Sequence, residues 1–143
     1  MGIVFRPARA GDAGALVALV EELGYPTPLA GVQARLARLL GRDDQVVFVA
    51  EEGDELLGCI HVQEFLSLAS DPAGLVTGLV VDPAARRGGI GRGLMGQAED
   101  WARARGLASL RLRARGARTG AHEFYRRLGY TLVKKQLQYR KEL

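Results

Sequence analysis

The chain has 143 residues, 48% hydrophobic and 25% charged, an average globular composition that excludes a disordered tail, a collagen-like repeat and a coiled coil. Its net charge is +4, from 20 basic and 16 acidic residues, and 17 of the basic residues are arginine, which fits either a compositional bias or attraction for anions. No apolar run approaches the ~20 residues that span a bilayer, and the single cysteine, Cys59, excludes an internal disulfide and a thiolate zinc cluster.

The opening Met1–Pro7 has no long apolar stretch of the kind a signal peptide needs, so a cytoplasmic location is expected. Ile3–Arg9 alternates apolar and polar residues and reads as a strand, placed at a sheet edge by Pro7, which lacks an N–H. Asp12 is set to cap a helix carrying Leu16, Val17, Leu19, Val20 and Leu23, with Gly24 as its stop. Thr27-Pro28 reads as a cap and first helical residue for a second helix through Val32, Leu36, Leu39 and Leu40, ended by Gly41.

Gln45–Glu51 and Leu56–Leu66 read as a hairpin across Glu52–Glu55, followed by a loop over Ser67–Gly74. Leu75–Val81 is a third apolar strand of this group, closed by Asp82-Pro83. Gly91–Arg105 is an amphipathic helix with Leu94, Met95, Ala98, Trp101 and Ala102 on one face. Ala108–Ala114 alternates as a strand, Thr119–Leu128 is a short helix begun by Thr119 and stopped by Gly129, and Tyr130–Arg140 is a last strand. A mixed order of this kind predicts a sheet covered by helices.

The segment between the apolar strand and the amphipathic helix, Asp82–Arg92, carries the most chemistry. Gly88, Gly89 and Gly91 let the backbone approach a ligand closely, and the free N–H groups at a helix start favour an anion. Arg86, Arg87 and Arg92 add positive charge, so the turn suits a phosphate or pyrophosphate; the plain alternative is a glycine-rich turn with solvated arginines. A Walker A loop is excluded because no Gly-Lys-Ser/Thr ends it, and the G-G-x-G spacing is not that of a dinucleotide fingerprint.

The spacing Arg86-x-x-Gly89-x-Gly91 resembles the acyl-CoA pyrophosphate loop of the GNAT N-acetyltransferase superfamily. Leu79-Val80-Val81-Asp82-Pro83 is similar to the strand and turn before that loop, and Ala121–Tyr130 (AHEFYRRLGY) to the family's A-x-x-F-Y-x-x-x-G-F/Y segment. The resemblance covers essentially the whole chain. It implies an α/β (mixed α+β) fold over 1–143 as one domain, with a central, mostly antiparallel twisted sheet of six to seven strands flanked by about four helices. It also implies an acetyl-CoA-dependent N-acetyltransferase that needs no metal and acts on a small-molecule or peptide amine.

Carried over residue by residue, Arg86, Arg87, Gly88, Gly89, Ile90, Gly91 and Arg92 surround the pyrophosphate, and Leu79, Val80 and Val81 line the pantetheine arm. A backbone N–H near Val80 or Val81 polarises the thioester carbonyl. Tyr125 resembles the tyrosine that protonates the departing thiolate, its alternative being a core aromatic beside Phe124 and Leu128. The family's glutamate before the apolar strand is replaced by Thr77, so Glu64 is taken as the base, with His61 the other candidate; three residues apart on one strand, they face opposite ways. Arg118 stands where the family often has a cofactor-contacting asparagine, and His122 lies one turn before Tyr125.

Cys59 reads as a small buried hydrophobe. The acceptor is expected beside Gly24–Gly31, the Glu64 end of the strand and Ser67–Gly74, with Tyr25, Gln63, Phe65 and Asp71 nearby. A non-catalytic acyl-CoA-binding module of the same fold is the alternative function. A nucleic-acid or membrane partner is not expected, since aromatics are 6% and no helix carries a continuous basic face. A homodimer is common in the family.

Overall fold

The computed structural model describes residues 2–86, 88–114 and 119–143. They fall into two compact units, residues 1–113 and 114–143. The first holds a five-stranded sheet in the order β1-β2-β3-β4-β5. Its strands are β1 (Val4–Pro7), β2 (Gln45–Glu52), β3 (Glu55–Ser67), β4 (Ser70–Val81) and β5 (Leu110–Leu112). Its helices are α1 (Ala13–Leu23), α2 (Leu29–Leu40) and α3 (Ile90–Ala104). Strands β1 to β4 pair antiparallel, and β5 runs parallel to β4. With α4 (Thr119–Arg127) in the second unit, the fold is α+β with four helices, as expected, but with five strands rather than six or seven among the described residues.

Two elements account for the difference. Tyr130–Arg140 is not a strand: residues 131–143 are exposed and without regular structure. A strand persists only where a partner satisfies its backbone, and α4 is the only regular element of that unit among the described residues. The expected Ser67–Gly74 loop is also replaced, by a hairpin turning at Leu68 and Ala69 with Ser67 opposite Ser70. There Ala73 and Gly74 are buried, and Gly74 pairs with Glu64 on one side and Leu110 on the other. Cross-strand pairing overrides the Asp71-Pro72-Ala73-Gly74 turn signal.

Pro7 sits on the edge strand, as its missing donor requires. Asp12 precedes α1 but makes no capping bond to it. Its carboxylate instead accepts from both terminal nitrogens of Arg6, at 2.9 Å each, and from the Arg9 amide at 2.8 Å. Arg6 also reaches Glu51 at 2.8 Å, tying β1, β2 and the start of α1 together. Gly24 ends α1 at φ 108°. Pro28 occupies the cap position of α2, one residue later than expected, while the Thr27 hydroxyl donates to the Tyr25 carbonyl.

Alternation along the strands divides the core. Val47, Val49 and Val80 pack with Leu16 and Leu19 of α1 and Val32 and Leu36 of α2, and Cys59 joins them. On the other face Gly58 lies against Ile90 and Leu94 of α3, and Gly93 of α3 against the Phe5 ring.

Candidate functional site

The glycine turn is built by two caps. The Asp82 amide donates to the Leu57 carbonyl, holding the end of β4 to β3, and the Asp82 carboxylate accepts from the Ala84 amide at 2.9 Å. A 3-10 turn over Pro83–Ala85 follows. Gly89 then takes φ 77°, a left-handed conformation that side chains resist, and redirects the chain into α3. The first bond of the α3 ladder runs from the Gly93 amide to the Gly89 carbonyl. The amides of Ile90, Gly91 and Arg92 precede that ladder, so they are the orphan donors of a helix N-terminus, where the dipole also favours negative charge. Arg92 is exposed, and the Arg86 guanidinium reaches Glu22 of α1 at 2.9 Å. Arg87 and Arg118 lie outside the described residues, as does the Thr119 side chain.

Strand β4 leads into this turn with one edge open. Against β3 it is paired to its end at Val81, but against β5 only over Gly74–Val76. From Thr77 to Val81 the second edge of β4 carries no strand among the described residues, which leaves backbone donors and acceptors for an extended ligand arm. At the head of this stretch the β3–β4 register slips: His61 faces Gly78 and Val62 faces Val76, so Thr77 is the extra residue of a bulge.

The bulge brings Thr77 to His61. The Thr77 Oγ1 lies 2.7 Å from His61 Nδ1, and His61 Nε2 lies 2.6 Å from Gln45 Oε1 on β2. The Gln45 amide nitrogen in turn donates to Gln63 Oε1 at 3.4 Å. The Thr77 Oγ1 also lies 3.4 Å from the His61 carbonyl oxygen; with the Gln45 carbonyl oxygen facing the ring, Nε2 is assigned the proton and the nearer Nδ1 is the acceptor to which Thr77 donates. Burial pushes the His61 pKa below its ordinary value by disfavouring the imidazolium.

Glu64 is ion-paired. Its carboxylate accepts from Arg105 at 2.8 Å, and that guanidinium stacks on Trp101 with its carbon 4.9 Å from the ring centroid. Both partners belong to the C-terminal end of α3, so the Glu64 carboxylate is neutralised there, on the face of β3 opposite His61. Gln63 is engaged with Gln45, and Phe65 with Arg111, whose guanidinium carbon is 5.7 Å from the ring centroid. Tyr25 and Asp71 are exposed. The Cys59 thiol is pushed up to about 12 by burial, so it stays protonated at neutral pH, as expected of a small core residue.

In the second unit, Tyr125 is half-buried on α4, its ring edge-on to Phe124 at 5.1 Å and to Tyr130 at 6.2 Å between centroids. Burial raises the phenol's pKa above its ordinary value. His122 Nε2 is buried without a hydrogen-bond partner among the described residues. Gln45 and the pairing of His61 with Thr77 were not foreseen. The available signal was Thr77-Gly78 interrupting an apolar strand, since a glycine inside a strand marks a bulge.

The profile of the Acetyltransferase (GNAT) family matches residues 16–130. An uncharacterized N-acetyltransferase, YhfO, of Bacillus subtilis (strain 168) is 28% identical over 130 residues, 87% of each chain. Among solved structures, the aminoglycoside N-acetyltransferase AAC(6')-Iy in complex with CoA superposes with a TM-score of 0.89 at 18% identity, over 99% of this chain and 96% of that one. Glucosamine-6-phosphate N-acetyltransferase from Arabidopsis thaliana superposes with a TM-score of 0.86 at 18% identity, over 99% of this chain and 100% of that one. No helix among the described residues is long and apolar enough to cross a membrane, and no group of metal-ligating side chains occurs among them.

Proposed function

The chain belongs to the GNAT acetyltransferase family, and from that premise we propose that it moves an acetyl group from acetyl-CoA to a primary amine by direct attack. The observation that carries this reading is the open edge of β4 over Thr77–Val81, running straight into the orphan amides of Ile90, Gly91 and Arg92. An extended arm ending in a pyrophosphate needs that sequence of groups: a strand-like ladder first, then an anion cradle.

In this reading Leu79, Val80 and Val81 offer their backbone to the arm, while the Val80 side chain stays buried in the core. Gly88, Gly89, Ile90, Gly91 and Arg92 hold the pyrophosphate, with Arg86 and Arg87 adding charge beside it. An amide near Val80 or Val81 polarises the thioester carbonyl as charge develops on its oxygen. Tyr125 supplies the proton to the thiolate as the carbon–sulfur bond breaks; its raised pKa keeps that proton in place at neutral pH. Glu64, the carboxylate first considered as the base, is held by Arg105.

The acceptor class is open to direct assay. Free-thiol release from acetyl-CoA is measured with pools of amines, starting with amino sugars because two of the superposed structures are acetyltransferases for such compounds. Acceptor-dependent release supports the enzyme. Tight acetyl-CoA binding with no release against any pool favours a non-catalytic binding module.

A further inference from the structure

We propose that Thr77 and His61 form a proton relay that takes the proton from the attacking amine, with Gln45 fixing the tautomer that makes the relay work. The inference rests on the acetyl-transfer reading and names the base that reading lacks. Three observations converge on it. Thr77 is exposed, so its hydroxyl is open to a substrate. It stands immediately after Val76, the last β4 residue paired with β5, and so at the head of the slot where the arm lies. Its only close side-chain partner among the described residues is the unprotonated Nδ1 of His61, at 2.7 Å.

The step balances without any further reactant. As the amine nitrogen bonds to the acetyl carbon, its proton passes to Thr77 Oγ1. The hydroxyl proton of Thr77 passes to His61 Nδ1, giving an imidazolium. The carbon–sulfur bond then breaks, the thiolate takes the Tyr125 proton, the phenolate is reprotonated from water, and the imidazolium returns its own proton to water. The relay needs a neutral imidazole at rest, and burial supplies one. The neighbours of His61 on adjoining strands, Gln45, Val47, Thr77 and Gly78, are uncharged. Charged groups on the surrounding elements are engaged elsewhere or exposed: Glu22 with Arg86, Arg35 with Thr27, Asp44 with Arg42, Glu64 with Arg105, and Glu21 and Arg38 at the surface.

The test uses the full chain, acetyl-CoA and the best acceptor from the amine screen. Thr77→Val and His61→Gln are each expected to lower kcat by about 100-fold or more, with acetyl-CoA binding and melting temperature unchanged, while Thr77→Ser retains activity. Gln45→Glu places a carboxylate on Nε2 and is expected to move the acidic limb of the kcat/KM profile to higher pH; a structural role for Gln45 would leave that limb in place. Nitrogen NMR of the wild type at neutral pH is expected to show His61 protonated at Nε2 alone. The relay is overturned if Thr77→Val turns over at the wild-type rate, if Gln45→Glu leaves the acidic limb where it was, or if Nδ1 carries the proton. In those cases acceptor-dependent turnover by the wild type leaves the transferase reading standing. A wild type that binds acetyl-CoA and acetylates nothing overturns that reading and the relay together.

Discussion

Three side chains with similar sequence credentials separate once their partners are known. Glu64 and His61 were both candidate bases, and alternation sends them to opposite faces of β3. Glu64 meets Arg105 at the far end of α3, and His61 meets Thr77 at the head of the open edge. Cys59, two residues earlier, has its thiol pushed up to about 12, so Cys59→Ala is expected to leave turnover intact and thiol-alkylating reagents near neutral pH to inactivate slowly or not at all. Tyr125→Phe is expected to lower kcat by about 100-fold with little change in acetyl-CoA binding. Because burial raises the phenol's pKa, its acid form persists through the neutral range, and loss of activity from its ionisation is expected only above about pH 10. A pH–rate profile extended into the alkaline range checks this.

Among the elements, the Arg6 cluster and two glycines, one for a close approach and one for its φ, carry the strongest predictions. Arg6 holds the Asp12 carboxylate by hydrogen bonds, and this lowers the Asp12 pKa, with Glu51 lowered by the same guanidinium. Carboxylates depressed in the folded state bind fewer protons there than when unfolded. Their contribution to stability is therefore complete above the unfolded value near 4 and is lost as pH falls below it. Asp12→Ala is expected to cost about 1–2 kcal/mol by removing two charge-assisted hydrogen bonds from a guanidinium that keeps Glu51 and the Pro7 carbonyl, and to flatten the acid side of a denaturation curve measured against pH.

Gly58 approaches the Val80 carbonyl so closely that an added Cβ would lie 2.8 Å from it and 3.2 Å from Ile90 and Leu94. The backbone there cannot yield easily, so Gly58→Val is expected to destabilise by about 1–3 kcal/mol, read as a lowered melting temperature. Gly89→Ala differs in kind, because no atom lies within 4 Å of its Cβ position and only the φ of 77° is strained. Its expected cost is about 1–2 kcal/mol, concentrated at the start of α3, so acetyl-CoA affinity falls while β-sheet amide protection in hydrogen exchange is retained.

Across the whole molecule, a net charge of +4 carried largely by arginine favours a polyanionic substrate. That attraction is screened within about 10 Å at 0.1 M salt. The KM for acetyl-CoA is accordingly expected to rise between 0.05 and ~0.5 M KCl, with kcat nearly constant. A CoA site held only by apolar contacts would show no such rise.

Local chemistry was enough to read much of this protein from its amino acids. Helix periodicity with glycine stops located α1, α2 and α3, and Pro7 assigned β1 to an edge, because these features depend on residues a few positions apart. The glycine turn was legible for the same reason, since the start of a helix is a short run of backbone. Tertiary structure decided what depends on partners distant in sequence. It made a hairpin of a segment rich in turn residues, since Gly74 is flanked by strands on both sides. It left Tyr130–Arg140 without a strand, because alternation supplies the capacity to pair but not the partner. It also slipped the β3–β4 register by one residue at Thr77, and a register is a relation between two strands that neither strand's own residues contain. That slip turned Thr77 toward His61, while the fold of α3 carried Arg105 to Glu64.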